Sequence, residues 1–117
     1  MATVKDIYQF LDEIAPFDTQ EEFDNAGFLV GRGGRGVKKI MVALDVTLEV
    51  ADEADRLGAD LIVAHHPVIF HPVKSVTDET LTGRVLIGLL ERGVAAICAH
   101  TNLDAAHGGD NGCLART

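Results

Sequence analysis

The amino-acid sequence predicts an α/β fold in which a mostly parallel sheet is flanked by helices. Segments with strand and helix patterns alternate along residues 38–101, and this alternation is typical of a parallel sheet with helical connections. The predicted strands are continuous apolar runs, as expected for strands that are covered on both faces. The chain has 117 residues, of which 47% are apolar, and this is enough for one domain with a core of its own, residues 1–117.

The first elements are a helix, a short strand and a glycine-rich turn. In "TVKDIYQFLDEIA" the apolar residues recur at helical spacing. Thr3 and Asp6 form a capping-box pattern at its start, and Pro16 ends it. A short strand is predicted at 28–30. The "GRGGRG" stretch at 31–36 lacks the lysine and Ser/Thr of a phosphate-binding P-loop and precedes a strand. We therefore interpret it as a turn, whose arginines could still contact substrate phosphates or a neighbouring subunit.

Three strands and two helices follow in alternation. The strands are predicted at 38–46, 60–66 and 94–101, and the helices at 47–58 and 78–93. Glycines close both helices, because glycine tolerates the left-handed conformation that often follows a helix. The apolar helix positions expected to face one side are Val50, Ala51, Ala54 and Leu57 in the first helix and Leu81, Val85 and Leu89 in the second.

Composition and charge exclude several classes of partner and setting. The net charge is −8, with 18 acidic and 10 basic residues, which argues against nucleic acid and anionic membranes as partners. No apolar stretch approaches the roughly 20 residues of a membrane span, and the N-terminus does not resemble a signal peptide. Cys98 and Cys113 have no metal or redox spacing, and Cys98 is expected to be a small core residue. These observations predict a cytoplasmic protein.

The three predicted strands of this alternating region end in residues that can bind a metal or move a proton. "GADLIVAH" and "GVAAICAH" share a pattern in which a capping glycine precedes a histidine by one strand. The strands thus end at Asp45, His65 and His100. Because sites in open α/β sheets lie beyond the carboxyl ends of the strands, we expect these side chains to converge there.

The adjacent histidines in "ADLIVAHHPVIFHPV" suggest a site with two metal ions. On extended backbone, neighbouring side chains point to opposite faces, so His65 and His66 would each bind a different ion. Pro67 favours this arrangement because it keeps His66 extended. Asp104 would then bridge the two ions, which could activate a water molecule. The alternative is a pair of surface or core histidines without a ligand role.

Four segments resemble the signature of the Nif-three-like proteins, often labelled GTP cyclohydrolase I type 2 homologues or dinuclear metal centre proteins. They are "EEFDNAGFLVG", "ALDVT", "AHHPVIFHPVKSV" and "AHTNLDAA", in the family's order and spacing. The resemblance implies the Nif-three-like α/β fold, two divalent metal ions (zinc, manganese or iron) and a homohexamer. It also implies a hydrolase role toward a small-molecule substrate, with GTP cyclohydrolase action proposed for the family.

The resemblance also implies roles for individual residues. His65 and His66 match the paired histidine ligands, one for each metal ion, and Asp104 matches the carboxylate ligand. His100 matches a residue that lines the site, which we interpret as a catalytic proton shuttle or a substrate contact. Positions that match segments near the pocket, with roles left open, are Asp24, Asn25, Asp45 and Thr47.

Two ligands of the family pattern are absent from this sequence. The family's second half carries an H-x-x-x-E pair on a helix, and no such pair occurs here. We therefore expect an N-terminal portion of the family's domain whose isolated chain binds metal weakly and has little or no activity. Apolar surface left uncovered would favour self-association as a homo-oligomer. The alternative to an enzyme is a metal-binding scaffold or protein-interaction module without catalytic activity.

Overall fold

A computed structural model describes residues 1–17, 25–69 and 73–99 of the chain. Within these ranges it contains three helices and four strands. In chain order they are α1 (Val4–Ile14), β1 (Gly27–Val30), β2 (Ile40–Ala43), α2 (Leu48–Arg56), β3 (Leu61–Ala64), α3 (Leu81–Arg92) and β4 (Ala95–Cys98). Every predicted element that falls within these ranges is present, although the strands β2, β3 and β4 are shorter than the segments predicted for them.

The four strands form one sheet in the order β1-β4-β3-β2. β2, β3 and β4 are parallel, with Ile40 opposite Leu61 and Leu61 opposite Ala95. β1 lies at the far edge and runs antiparallel to β4, where Gly27 pairs with Cys98. The prediction of a mostly parallel sheet flanked by helices is confirmed.

The two faces of the sheet carry two separate apolar clusters, because side chains alternate along each strand. Ile62 and Cys98 belong to the cluster on the face of α2 and α3. Leu61 and Ile97 belong to the other cluster, which includes Val4 of α1. All five of these side chains are fully buried, and a buried aliphatic side chain of this size stabilises a fold by about 1.5–3 kcal/mol. Cys98 is thus a core residue, as predicted.

The helix ends follow the capping signals in the sequence. Thr3 and Asp6 form the predicted capping box at the start of α1. Thr80 begins α3 by accepting a hydrogen bond from the Gly83 backbone N–H, and Gly93 ends it in the left-handed conformation. The predicted apolar faces are correct in the middle of the helices but wrong at two ends. Leu57 and Leu81 are 49% and 67% exposed, because they stand at the last cap of α2 and the first turn of α3.

Asp60 connects three segments at the amino-terminal end of β3. Its carboxylate accepts hydrogen bonds from the Arg35 guanidinium at 2.8 Å and from the backbone N–H groups of Lys38 and Lys39 at 2.8 and 3.2 Å. Its backbone carbonyl accepts from the Ala95 N–H. The hydrogen bond from the Lys38 N–H, together with Arg35, lowers the pKa of Asp60 although its partial burial opposes this shift.

The edge strand β2 is covered on one face only. Met41 and Ala43 pack against the cluster under α2 and α3. Ile40 and Val42 lie on the other face, where they are 40% and 78% exposed, and Leu44, in the bend that follows the strand, is 64% exposed. Among the described helices, none is long and apolar enough to cross a membrane.

Candidate metal centre

The adjacent histidines lie just beyond the carboxyl end of β3. The strand ends at Ala64. The backbone N–H groups of His65 and His66 donate to the carbonyl oxygens of Ala43 and Leu44 at 3.2 and 2.9 Å. The end of β2 therefore fixes the backbone of both residues, and their positions do not depend on a loop alone.

The His65 ring is oriented by the end of β4. Its Nδ1 lies 3.0 Å from the carbonyl oxygen of Ala99. A carbonyl oxygen can only accept a hydrogen bond, so Nδ1 carries the proton and Nε2 of the neutral ring carries the lone pair. This is the tautomer that binds a metal ion through Nε2.

The His66 ring is oriented by the residue that follows β2. Its Nδ1 lies 2.7 Å from Oδ1 of Asp45. The carboxylate accepts a hydrogen bond from Nδ1–H, so Nε2 again carries the lone pair when the ring is neutral. A carboxylate in this position makes an imidazole a stronger ligand and fixes its orientation. Asp45, whose role the sequence left open, therefore acts on His66.

The two rings are neighbours, with centroids 5.0 Å apart and planes tilted by 48°. The expectation that they project to opposite faces of an extended strand is wrong in this strict form. The strand ends at Ala64, and both histidines lie in a bend where the alternation of faces no longer applies. The rings instead differ in what holds them, because His65 contacts the end of β4 and His66 contacts the end of β2.

A cleft of about 430 Å³ opens beside His66. It lies between the carboxyl ends of the strands and the amino-terminal ends of α2 and α3, where helix dipoles carry partial positive charge. Its lining includes Asp45, Thr47, Glu49, His66, Leu81 and Thr82. The Thr47 hydroxyl accepts a hydrogen bond from the Val50 N–H, so this side chain caps α2, whatever else it does.

A larger cavity, of about 580 Å³, lies at the opposite end of the sheet. Arg32, Arg35 and the carboxyl-terminal turn of α3 line it. Arg35 pairs with Asp60, and the last turn of a helix carries partial negative charge, which disfavours anions. We therefore place the candidate site at the histidines, in spite of the smaller volume there.

Several residues predicted for the site lie outside the described residues. They are Asp24, His100 and Asp104. Cys113, which was not predicted for the site, also lies outside the described residues. Asn25 is described, and its side-chain amide donates to the Ile69 carbonyl oxygen at 2.6 Å. This contact connects the start of β1 with the segment that follows the histidines.

The described part of the chain supplies two imidazoles to the site but not a complete ligand set. Across residues 1–17, 25–69 and 73–99, no three His, Cys, Asp or Glu side chains come together as a metal-binding group. The two Nε2 lone pairs still suit a borderline divalent ion such as zinc or iron(II), whereas manganese prefers oxygen ligands. The described residues therefore include two of the three metal ligands predicted in this chain, His65 and His66.

Sequence reasoning missed the Ala99 carbonyl. A backbone acceptor has no residue-type signal, so only the parallel pairing of β3 with β4 places it beside His65. The sequence did indicate Asp45, by its position at the end of a predicted strand, but it did not indicate the hydrogen bond of Asp45 to His66.

Comparison with known proteins finds one family along almost the whole chain. The family model described as Duf34/NIF3 (NGG1p interacting factor 3) matches residues 2–117. A protein of Clostridium perfringens named GTP cyclohydrolase 1 type 2 homolog is 41% identical over 95% of this chain and 42% of its own length. GTP cyclohydrolase 1 type 2 of Helicobacter pylori is 38% identical over 92% of this chain and 43% of its own length.

Solved structures show the same fold. The crystal structure of protein SA1388 of Staphylococcus aureus matches with a TM-score of 0.89 and 38% identity, over 97% of this chain and 32% of that one. Reduced HcgD from Methanocaldococcus jannaschii matches with a TM-score of 0.85 and 35% identity, over 97% and 46%. The chain thus spans less than half the length of these relatives.

Proposed function

The chain belongs to the Duf34/NIF3 family, and on that premise we propose that it binds divalent metal ions through His65 and His66. Each imidazole would ligate one of two ions, and Asp104 would supply a shared carboxylate. The observation that supports this role is the pair of acceptors on Nδ1, the Ala99 carbonyl and the Asp45 carboxylate. Both acceptors select the tautomer whose Nε2 can bind a metal ion.

We further propose that the complete protein is a metal-dependent hydrolase acting on a nucleotide-like or phosphorylated small molecule. Bound divalent ions would supply an activated water molecule and stabilise negative charge on the substrate. Asp45 would hold the His66 ring in place, and His100 would move a proton. The cleft beside His66 has the amino-terminal ends of two helices on its wall, and such ends favour phosphate groups. The relatives named GTP cyclohydrolase 1 type 2 support a nucleotide substrate.

A second candidate is a metal-binding scaffold or interaction module without catalytic activity. The observation in its favour is that the described residues bring two imidazoles together without a third ligand group. The family description, which names an interacting factor, agrees with it. With so few ligands the ions would be held mainly by water, and the isolated chain would bind them weakly.

Metal binding is tested by titrating the 117-residue chain with Zn²⁺, Mn²⁺ and Fe²⁺ and measuring affinity by calorimetry. We expect His65→Ala and Asp104→Ala to weaken binding by at least about tenfold, since each removes a ligand. His107→Ala is the matched histidine control and should bind like the unchanged chain. Equal affinity in all four proteins would contradict the metal site.

The hydrolase proposal is tested with the same four proteins and a panel of nucleotides and phosphoesters in the presence of each metal ion. Metal-dependent turnover that both ligand substitutions abolish, and that His107→Ala retains, would support the enzyme. Metal binding without turnover of any compound, by this chain and by a relative of full length, would favour the scaffold.

A further inference from the structure

The amino-terminal end of β1 lies at the same edge of the sheet as the paired histidines. Ala64, Cys98 and Gly27 form one row across β3, β4 and β1, because Ala64 pairs with Cys98 and Cys98 pairs with Gly27. Since β1 is antiparallel to the other strands, the residues before Gly27 and those after Ala64 leave this row in the same direction. Asn25 and His66 each lie two residues beyond it. Asn25 precedes a strand instead of following one, so its place at this edge is not indicated by the carboxyl ends of the strands.

The side chain of Asn25 contacts the segment that follows the histidines. Its amide donates a hydrogen bond to the Ile69 carbonyl oxygen at 2.6 Å. The segment begins with Pro67, which has no N–H. Pro67 therefore cannot repeat the backbone hydrogen bond that holds His66 against the end of β2. Asn25 provides a connection to the sheet just beyond this break, and it comes from another strand.

The segment 67–69 forms part of the wall of the cleft beside His66. Pro67 and Val68 line the cleft, and Val68 and Ile69 pack against the apolar cluster under α2 and α3. The hydrogen bond to the Ile69 carbonyl is partly buried, and a buried carbonyl oxygen that loses its donor destabilises the conformation that buries it. Without Asn25 the segment would shift to bring this carbonyl to water, and the peptide that follows His66 would move with it.

We propose that Asn25 is a positioning residue of the candidate metal centre. Through the Ile69 carbonyl it would fix the segment 67–69, and through that segment the His66 ring and the wall of the cleft. This inference rests on the proposed metal role of His66. A role in the fold alone would connect β1 to the segment and leave the imidazole as it is, so the two roles predict different results.

The first test is calorimetric titration of the 117-residue chain with Zn²⁺. Asn25→Leu keeps the size of the side chain but removes the donor, and it should weaken binding about fivefold, less than the roughly tenfold expected for a residue that contacts a ligand. Asn25→Ala removes the same donor without an apolar side chain of that size and should give the same result. Asn25→Gln keeps the amide and should bind within about twofold of the unchanged chain, as a conservative change should.

The matched control lies at the amino-terminal end of β2. The Lys39 ammonium group donates to the Leu57 carbonyl oxygen, also at 2.6 Å. Lys39→Met therefore removes a side-chain donor from a backbone carbonyl far from the histidines. Its Zn²⁺ affinity should equal that of the unchanged chain, and circular dichroism should show that all of these variants are folded.

The second test needs no metal ion. Long-range ¹H–¹⁵N NMR spectra of the metal-free chain, at a pH where the rings are neutral, report the two ring nitrogens of His66. We expect Asn25→Leu and Asn25→Ala to shift these signals, and Asn25→Gln and Lys39→Met to leave them in place. A role in the fold alone would lower Tm without shifting them.

The outcomes separate this inference from the proposed function. Shifted His66 signals in a chain that binds no metal ion would refute the proposed function and still support the positioning role. If His65→Ala weakens Zn²⁺ binding but Asn25→Leu changes neither the affinity nor the His66 signals, the positioning role alone is overturned. An Asn25→Gln chain that binds Zn²⁺ as weakly as Asn25→Leu would also overturn it.

Discussion

The two ends of β3 both carry titratable side chains, but the side chains at the two ends use their hydrogen-bonding atoms differently. At the amino-terminal end, the Asp60 carboxylate accepts from three donors, the Arg35 side chain and two backbone N–H groups. At the carboxyl end, His65 and His66 are each oriented through Nδ1, and Nε2 is the atom proposed to bind a metal ion. A polar group whose lone pairs are all directed at the protein's own donors stabilises the fold. A group oriented through one atom keeps another for chemistry.

The largest effect expected from this comparison follows the loss of Asp60. Asp60→Asn removes the charge and one of the two acceptor oxygens, so one or two of the three donors lose a good acceptor. The change should cost about 2 kcal/mol of unfolding free energy and lower Tm by about 10 °C. Urea unfolding measures the first and calorimetry the second. Glu91→Gln, an exposed acid-to-amide change, is the control and should cost less than about 0.5 kcal/mol. The metal affinity of Asp60→Asn should stay within twofold of that of the unchanged chain. A large loss of affinity would contradict the assignment of Asp60 to the fold alone.

The converse substitution lies at the other end of the strand. Asp45→Asn weakens the acceptor that orients His66, so metal affinity should fall roughly tenfold. The free energy of unfolding should change by less than about 0.5 kcal/mol, because the Asp45–His66 pair is exposed. Titration of Zn²⁺ by calorimetry and urea unfolding give the two values. Asp55→Asn, on the exposed surface of α2, is the control. A loss of stability without a loss of affinity would assign Asp45 to the fold instead of the site.

The smallest effect is the pH dependence of the Asp60 interactions. Because hydrogen bonds to Lys38 and Arg35 lower the folded-state pKa of Asp60 below its usual 3.8, its ionised form is favoured in the folded chain. This stabilisation is complete above that value and is lost as the pH falls through the lowered pKa. The difference in unfolding free energy between the unchanged chain and Asp60→Asn should therefore be constant from pH 5 to 7 and shrink toward pH 3. Urea unfolding at these pH values checks it, and a constant difference down to pH 3 would refute the assignment.

Most of the fold could be predicted because local chemistry decides it. The helices follow from apolar spacing and from caps at Thr3 and Gly93, and the parallel strands follow from apolar runs between helices; the N-cap Thr80, two residues after the predicted start of α3, was not predicted. The ends of β2 and β3 could not be predicted from composition. The sequence predicted that these strands continue to Val46 and His66, but they end at Ala43 and Ala64, where the chain bends.

The candidate site was predicted from residue types and from a family resemblance. The positions of its histidines could be predicted, but the orientations of their rings could not. His65 and His66 lie where the strand-end argument placed them, since the ends of parallel strands meet at one edge. The ring orientations depend on Asp45 and on the Ala99 carbonyl, which belong to other strands. His100 and Asp104 lie outside the described residues, so their part in the site stays a prediction.

The pairing of β1 with β4 has a consequence for the order of events during biosynthesis. β1 and α1 are made first, yet within the described residues β1 pairs with β4, the strand farthest from it along the chain, where Gly27 meets Cys98. The apolar side of α1 likewise packs on Leu61 and Ile97, which emerge from the ribosome much later. Contacts so distant along the chain form slowly, because a long loop must close first. In the nascent chain the apolar side of α1 therefore stays uncovered until β3 and β4 have been made.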